Sequence, residues 1–269
     1  TIIAKKKNIR LVKKDVKEIN SEESFIKVEK KKFFYDLIIL SIGSTSVFYS
    51  KIDKGRSIKK NYKEVALTTI IEHNAKIKNS RQFFLKEGPL AILPFKKNLF
   101  SVVWSVNNFY LNVNKKNLKK ILIEKLRTLL NINSIKIIEN IQLFQIKLNL
   151  KTNYFKKNVL IIGDGLHTVH PMAGQGFNLV LRDIKKLSEL ISSISKLGLL
   201  LKNSMLLEDF YKIRKPENNL FGLGINLTNI FFKNNKYFFS LKKIILYNIN
   251  NFNFIKKISQ SIADRGILF

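Results

Sequence analysis

Residues 158–183 constrain the chain more than any other stretch. They read Asn158-Val-Leu-Ile-Ile-Gly163-Asp164-Gly165-Leu-His167-Thr-Val-His170-Pro171-Met-Ala173-Gly174-Gln175-Gly176-Phe177-Asn178, then Leu-Val-Leu-Arg182-Asp183. The apolar run from Val159 to Ile162, bounded by Asn and Gly, predicts a short buried strand. A loop with one Pro and three more glycines follows. From Phe177 the apolar residues recur at helical spacing: Phe177, Val180, Leu181, Ile184, Leu187, Ile191 and Ile194. The predicted unit is strand, acidic residue, Gly-rich loop, helix.

Such a unit has a chemical use. An Asp at a strand end offers two strong acceptors suited to sugar-like hydroxyls. Glycines let a backbone approach a flat or anionic ligand, because no Cβ intervenes. A helix opening at Gln175–Phe177 leaves N–H groups without intrahelical partners and turns the positive end of its dipole into the loop. Negative charge on a bound group, such as the N1–C2=O edge of a reduced flavin, would be stabilised there.

At these residues the chain resembles the FAD-dependent aromatic hydroxylases of the p-hydroxybenzoate hydroxylase type. Their second flavin fingerprint runs Gly-Asp, two small residues, His, three residues, Pro, two residues, Gly-Gln-Gly, one residue, Asn. Gly163, Asp164, His167, Pro171, Gly174, Gln175, Gly176 and Asn178 meet it, and Arg182-Asp183 follows as in the family. Within the family the chain looks most like the ubiquinone-biosynthesis hydroxylases. The resemblance implies FAD as cofactor, bound by Gly163, Asp164, Pro171, Ala173, Gly174, Gln175, Gly176, Phe177 and Asn178. Asp164 would bind the ribityl chain. Pro171 and Gly174–Asn178 would hold the isoalloxazine ring through backbone groups and the helix dipole. It further implies NAD(P)H as reductant, oxygen as co-substrate, and a polyprenyl phenol as the aromatic substrate. The cofactor carries the chemistry in such a scheme, so no catalytic side chain is singled out.

Three other segments extend the resemblance. Ser41-Ile42-Gly43-Ser44-Thr45-Ser46 stands where the family has Ala-Asp-Gly-x-x-Ser, a motif associated with FAD and the nicotinamide. Gly43 and Ser46 match, but Ile42 replaces the Asp, so that carboxylate's hydrogen bonds are lost. Gly88-Pro89-Leu90-Ala91-Ile92-Leu93-Pro94, followed by Val103-Trp104-Ser105, is typical of the ubiquinone-pathway members, in which this sheet roofs the substrate. Trp104 and the Phe83-Phe84 pair are candidates for a substrate pocket or for core. Tyr211, Arg214 and Pro216 resemble a Tyr-x-x-x-Arg-x-Pro region more loosely.

The chain has 269 residues and is 45% hydrophobic, enough for a sizeable core. It has no Cys, which excludes disulfides and thiolate chemistry and fits a cytoplasmic setting. No apolar run reaches the roughly 18 residues that span a bilayer. Net charge is +30. Such charge suits nucleic acid or an anionic membrane, but Lys is spread along the whole chain, as a biased composition rich in Lys, Asn and Ile produces. Nucleic acid is therefore not the expected partner.

Taken in order, residues 1–35 predict two or three strands, with turns near Asn20-Ser21 and Lys30–Lys32. Residues 36–40 predict a strand. Tyr62–Glu72, Gly88–Pro94 and Phe100–Val106 predict a β region. Residues 115–131 predict a helix capped by Asn114, and Ile135–Leu150 a further strand. Ser204–Lys215 predicts an amphipathic helix that Pro216 ends. Residues 217–269 interleave basic and aromatic residues. They predict helices, packed on the main domain or resting on an anionic inner-membrane surface.

His167 and His170 have the spacing of a metal pair, but too few further ligands exist for a zinc site. His167 is expected to brace the loop and His170 to sit near the cofactor. No Gly-x-Gly-x-x-Gly occurs anywhere, and the chain opens with Thr1 directly into strand-like sequence. An N-terminal portion carrying the pyrophosphate grip is expected to be missing. The expected fold is α/β: a partial FAD/NAD(P)-binding three-layer domain from 1–57 and 151–199, an inserted antiparallel substrate-binding sheet at 58–150, and C-terminal helices at 200–269. The expected function is aromatic hydroxylation in ubiquinone biosynthesis. The alternatives are an inactive or split remnant of such an enzyme, and a scaffold in a ubiquinone-biosynthesis complex.

Overall fold

The computed structural model describes residues 8–53, 57–171, 174–203 and 205–233, with the single positions 254, 257 and 261. In chain order the elements are β1 (Val16–Asn20), β2 (Phe25–Val28), β3 (Lys31–Phe34), β4 (Ile38–Leu40), α1 (Ser50–Asp53), β5 (Ser57–His73), β6 (Arg81–Leu85), β7 (Gly88–Lys96) and β8 (Leu99–Asn107). Then come α2 (Asn108–Asn114), α3 (Leu118–Leu130), β9 (Ile135–Ile137), β10 (Gln142–Lys151), β11 (Phe155–Lys156), β12 (Val159–Ile161), β13 (His167–Thr168), α4 (Gln175–Lys196) and α5 (Leu206–Lys233). They form two compact units. One comprises residues 1–57, 151–166 and 180–215, the other 58–150, 167–179 and 216–269.

In the first unit, β12 is the central strand of a sheet ordered β11-β12-β4, parallel to β4. Val159, Leu160 and Ile161 are wholly buried, as a strand covered on both faces requires. Asn158 fixes where the two parallel strands begin. Its side-chain amide donates to the Tyr35 and Asp36 carbonyls at 2.8 and 3.1 Å, and its own carbonyl accepts the Ile38 N–H at 2.9 Å. The antiparallel meander β1-β2-β3, with Ile19 buried, shares one core with β4, β12, Leu187 of α4 and Leu206, Leu207 and Phe210 of α5.

Helix α4 starts at Gln175, as its periodicity predicts, but the predicted apolar stripe is only half used. Leu187 is buried, and Leu190, Ile191 and Ile194 pack beside the core, while Phe177, Leu181 and Ile184 are exposed. Helix α5 corrects the boundary at Pro216: it runs through that residue. Proline removes a helical hydrogen bond and crowds the preceding turn. Here Pro216 lies on the exposed side, where water can reach the carbonyl left without its donor. Buried Phe210, Arg214, Glu217, Asn218, Phe221 and Ile225 keep the helical stripe continuous across it. Most of the predicted helical region beyond residue 233 lies outside the described residues.

The second unit is a seven-stranded antiparallel sheet whose main path runs β13-β10-β5-β8-β7-β6, with β9 also paired to β5. Strict alternation separates its two faces. Leu67, Leu90, Ile92, Val102 and Trp104 point to one side, where Leu118, Leu122 and Leu126 of α3 complete a core. Trp104 is thus core and lines no open face, and Phe83 packs against the same cluster. The predicted cap at Asn114 is also corrected, since its side chain makes no capping bond there. The helical segment opens earlier, at α2, where the Asn107 side chain accepts the Phe109 N–H at 2.7 Å.

His73, at the end of β5, is buried with its ring 5.0 Å from that of Phe100. Burial holds its imidazole below the ordinary value of 6.5, against an opposing bond at the Ala75 backbone. The unfolded chain therefore takes up this proton first. Above the ordinary value the folded and unfolded states hold the same protons at this site. As pH falls below it the unfolded state binds more, and stability drops by up to about 1.4 kcal/mol per pH unit until the lowered folded value is passed. Replacing His73 with Phe should reduce that acid-side loss, read as the change in urea midpoint between about pH 7.5 and about pH 5.5.

Candidate cofactor site

In the first unit, the strands β4 and β12 end side by side, and the chain leaves both at their carboxyl ends. Ligands of open α/β sheets bind at this edge. After β12 the chain makes one tight turn, Gly163-Asp164-Gly165, closed by the Leu166 N–H donating to the Gly163 carbonyl at 2.8 Å. Gly163 takes a left-handed φ of +74°, and Asp164 stands exposed while both glycines are buried. Gly165 is demanded by packing. A Cβ there would lie 2.2 Å from the Tyr49 hydroxyl oxygen.

Tyr49 ties this turn to the loop after β4. Its hydroxyl donates to the Gly43 carbonyl at 2.7 Å and accepts the Ile42 N–H at 3.3 Å. Burial raises the phenol's pKa, the Ile42 bond opposes the rise, and the Asp164 charge adds to it. The hydroxyl therefore stays protonated and able to donate. Gly43 has a φ of +78°, and Ser46 caps the short turn Val47–Tyr49 by accepting the Phe48 N–H. The Ile42 side chain is exposed, so the hydrocarbon at the family's Asp position is not part of the core.

In the second unit, Pro171 and Gly174 form a turn in which the Gly174 N–H donates to the Pro171 carbonyl at 3.1 Å. Gly174 has a φ of +61° and open space where a Cβ would stand. Gly176 would bring a Cβ no nearer than 3.7 Å to Val169, so packing alone does not require glycine there. α4 then begins, and its first N–H groups have no intrahelical acceptors. Asn178 donates to the Gln175 side chain at 3.2 Å, and Phe177 is exposed. Ala173 lies outside the described residues.

The other face of the second unit's sheet is partly covered by a cluster of Tyr62, Ala66, Ile146, Leu148 and Leu150, with Val103 packed beside it. Registers place Gln82, Ala91, Val103 and Thr68 in one row, and Leu93, Ser101 and Ile70 in the next. Ala91, Val103, Thr68, Ser101 and Ile70 are half-buried, and Leu93 and Phe84 are exposed. This is a floor of small side chains with larger apolar ones at its margin. His167 is a strand residue of β13, opposite Leu150. His170 is fully buried, with its Nε2 3.0 Å from Glu64 Oε2. No local motif singles out Glu64, although its alternation with Tyr62 places both on one face of β5.

Each unit's groups have a chemistry of their own. An exposed carboxylate at parallel strand ends suits ribityl hydroxyls, and a left-handed glycine with open space beside a helix start suits a flat, electron-rich ring. The fold is similar to that of solved monooxygenases. The p-nitrophenol 4-monooxygenase PnpA from Pseudomonas putida DLL-E4 superposes with a TM-score of 0.73 at 13% identity, over 94% of this chain and 67% of that one. PqsL from P. aeruginosa, in complex with 2-aminobenzoylacetate, gives 0.66 at 15% identity, over 81% and 63%. The chain itself belongs to the FAD binding domain family, whose model matches residues 49–202.

Among curated relatives, the mitochondrial ubiquinone biosynthesis monooxygenase COQ6 of Dictyostelium discoideum is 31% identical over 210 residues, covering 66% of this chain and 42% of its own length. The 3-demethoxyubiquinol 3-hydroxylase of Escherichia coli K12 is 26% identical over 170 residues, covering 57% and 40%. The chain spans less than half the length of the curated relatives it matches.

Proposed function

We propose that this chain is the flavin-ring and substrate-sheet part of an FAD-dependent monooxygenase that hydroxylates the phenolic ring of a ubiquinone precursor, with NAD(P)H as reductant. The observation that carries the reading is the strand-end turn Gly163–Gly165, with its left-handed glycine and exposed Asp164, within a chain of the FAD binding domain family. The names borne by the relatives support the substrate class.

Bound FAD supplies oxygen activation and the electron path from the nicotinamide. The chain's own residues bind and orient. Asp164 accepts hydrogen bonds from ribityl hydroxyls. Pro171 and Gly174 give a close backbone approach, and the N–H groups opening α4 at Gln175, Gly176, Phe177 and Asn178 favour negative charge on the ring edge. The small-residue floor of Ala91, Ser101 and Val103 accepts a planar phenol, and Leu93 and Phe84 at its margin suit a polyprenyl tail. Such a tail partitions into lipid, so the reading places the chain in the cytoplasm with peripheral contact to the inner membrane. Among the described residues, no helix is long and apolar enough to cross a membrane.

The test is to supply FAD, NADPH, oxygen and a short-tailed polyprenyl phenol and to look for the ring-hydroxylated product by mass spectrometry. Product coupled to NADPH oxidation is expected. Ile42 favours one second reading, a chain that binds flavin but no longer accepts hydride from a nicotinamide. Bound flavin that NADPH leaves oxidised, but that dithionite reduces, would select it.

A further inference from the structure

The second unit holds a buried polar cluster that the proposed function does not use. His170 is fully buried and Glu64 nearly so, with Nε2 and Oε2 3.0 Å apart. A carboxylate accepts, so the imidazole donates from Nε2. The Tyr62 ring meets the His170 ring edge-on at 5.1 Å. The Tyr62 hydroxyl lies 3.1 Å from the Asn226 side-chain oxygen of α5, which also accepts from Lys60 at 2.9 Å. Burial, and then the Glu64 charge, push the Tyr62 phenol up to about 12, so it remains a donor.

The place of this cluster gives it a task. Tyr62 and Glu64 lie on β5, in the middle of the antiparallel sheet. His170 directly precedes Pro171, whose carbonyl closes the turn to Gly174, and α4 begins one residue later. The turn ends on Gly174, a residue with little backbone stiffness of its own. On its N-terminal side the turn is preceded by this buried imidazole. Hydrogen-bonding a carboxylate across 106 residues of chain is costly to bury unless the geometry is held.

We propose that Glu64 is a positioning residue for the flavin: through His170 it anchors the Pro171–Gly174 turn to β5 and so fixes the backbone groups at the start of α4. The inference rests on the FAD reading above and extends it to a residue that touches no ligand. Tyr62 closes the cluster from the α5 side, its ring packed edge-on against His170 and its hydroxyl bonded to Asn226.

The experiment uses the full chain and three variants, with FAD affinity by fluorescence quenching and the shape of the visible flavin bands as readouts. Glu64→Gln keeps an acceptor for Nε2 and should bind FAD within about threefold of the parent, with unchanged bands. Glu64→Ala should weaken FAD about tenfold or more and blur the band structure, as loss of an outer supporting partner does elsewhere. Should Glu64→Ala fail to fold, Glu64→Leu combined with His170→Phe removes both polar partners at similar volume and should fold. It should show the same weakening and the same blurred bands. A folded Glu64→Ala or double variant with parental affinity and bands overturns the inference while leaving the FAD reading intact. A parent chain that takes up no FAD overturns both.

Discussion

Removing either partner of the Asp183–Arg214 pair should cost about 3–5 kcal/mol of folding stability. Arg214 Nε donates to Asp183 Oδ1 at 2.6 Å, and both side chains are almost wholly buried, at 4% and 0% exposure. The pair joins α4 to α5 within the first unit. Asp183→Ala would leave a guanidinium in the interior without this partner, and Arg214→Ala would leave a carboxylate. Neither charge can be rehydrated without opening the helix contact. Exposed pairs such as Lys14–Glu29, at 2.9 Å but more than half exposed, make the contrast, since their loss should change stability by no more than about 1 kcal/mol. Urea unfolding of Asp183→Ala, Arg214→Ala and Glu29→Ala measures the difference. Asp183→Leu combined with Arg214→Met should recover much of the loss, because the cost lies in a buried charge that has lost this partner.

Gly88→Ala should be comparably damaging for a different reason. Gly88 opens β7 after a two-residue turn and takes a φ of +136°, where L side chains are strained. A Cβ would also lie 1.9 Å from the Ser105 carbonyl oxygen of β8. That oxygen is backbone in the central part of the sheet and cannot move without breaking the β7–β8 ladder. A loss of about 3 kcal/mol or more is expected, seen as a lowered midpoint in thermal or urea unfolding. Gly174→Ala tests the other limit. Open space surrounds it, so its cost is set by the left-handed φ alone, about 1 kcal/mol.

The strand–turn–helix at 158–183 was legible because its signals agree at several levels. The apolar run is short and bounded, the glycines sit where the chain turns, and the 3.6-residue period starts where α4 does. Periodicity identifies a helix but not what covers it, and Phe177, Leu181 and Ile184 of the stripe are exposed. Helix α2 escaped because Asn-Phe-Tyr-Leu-Asn-Val-Asn is a poor helix sequence by propensity. The Asn107 cap and the edge-on packing of Tyr110 against Trp104, at 5.8 Å, decide its conformation. Pro216 was read as a stop because local chemistry says so. The buried stripe on either side of it overrides that rule. The Glu64–His170 contact spans 106 residues, and no local pattern announces a pairing at that distance.

The central claim is that the turn bearing Asp164 seats a flavin nucleotide. Titrating the purified chain with FAD, beside Asp164→Ala, tests it most directly. Asp164 is exposed and its removal leaves the turn's backbone bond from Leu166 to Gly163 in place, so the variant should fold with a stability within about 0.5 kcal/mol of the parent. The parent should bind FAD with perturbed visible bands and quenched fluorescence. Asp164→Ala should bind at least about tenfold more weakly, as expected for lost hydrogen bonds to a charged acceptor. A parent that stays colourless in excess FAD, or an Asp164→Ala variant that binds as tightly as the parent, would contradict it.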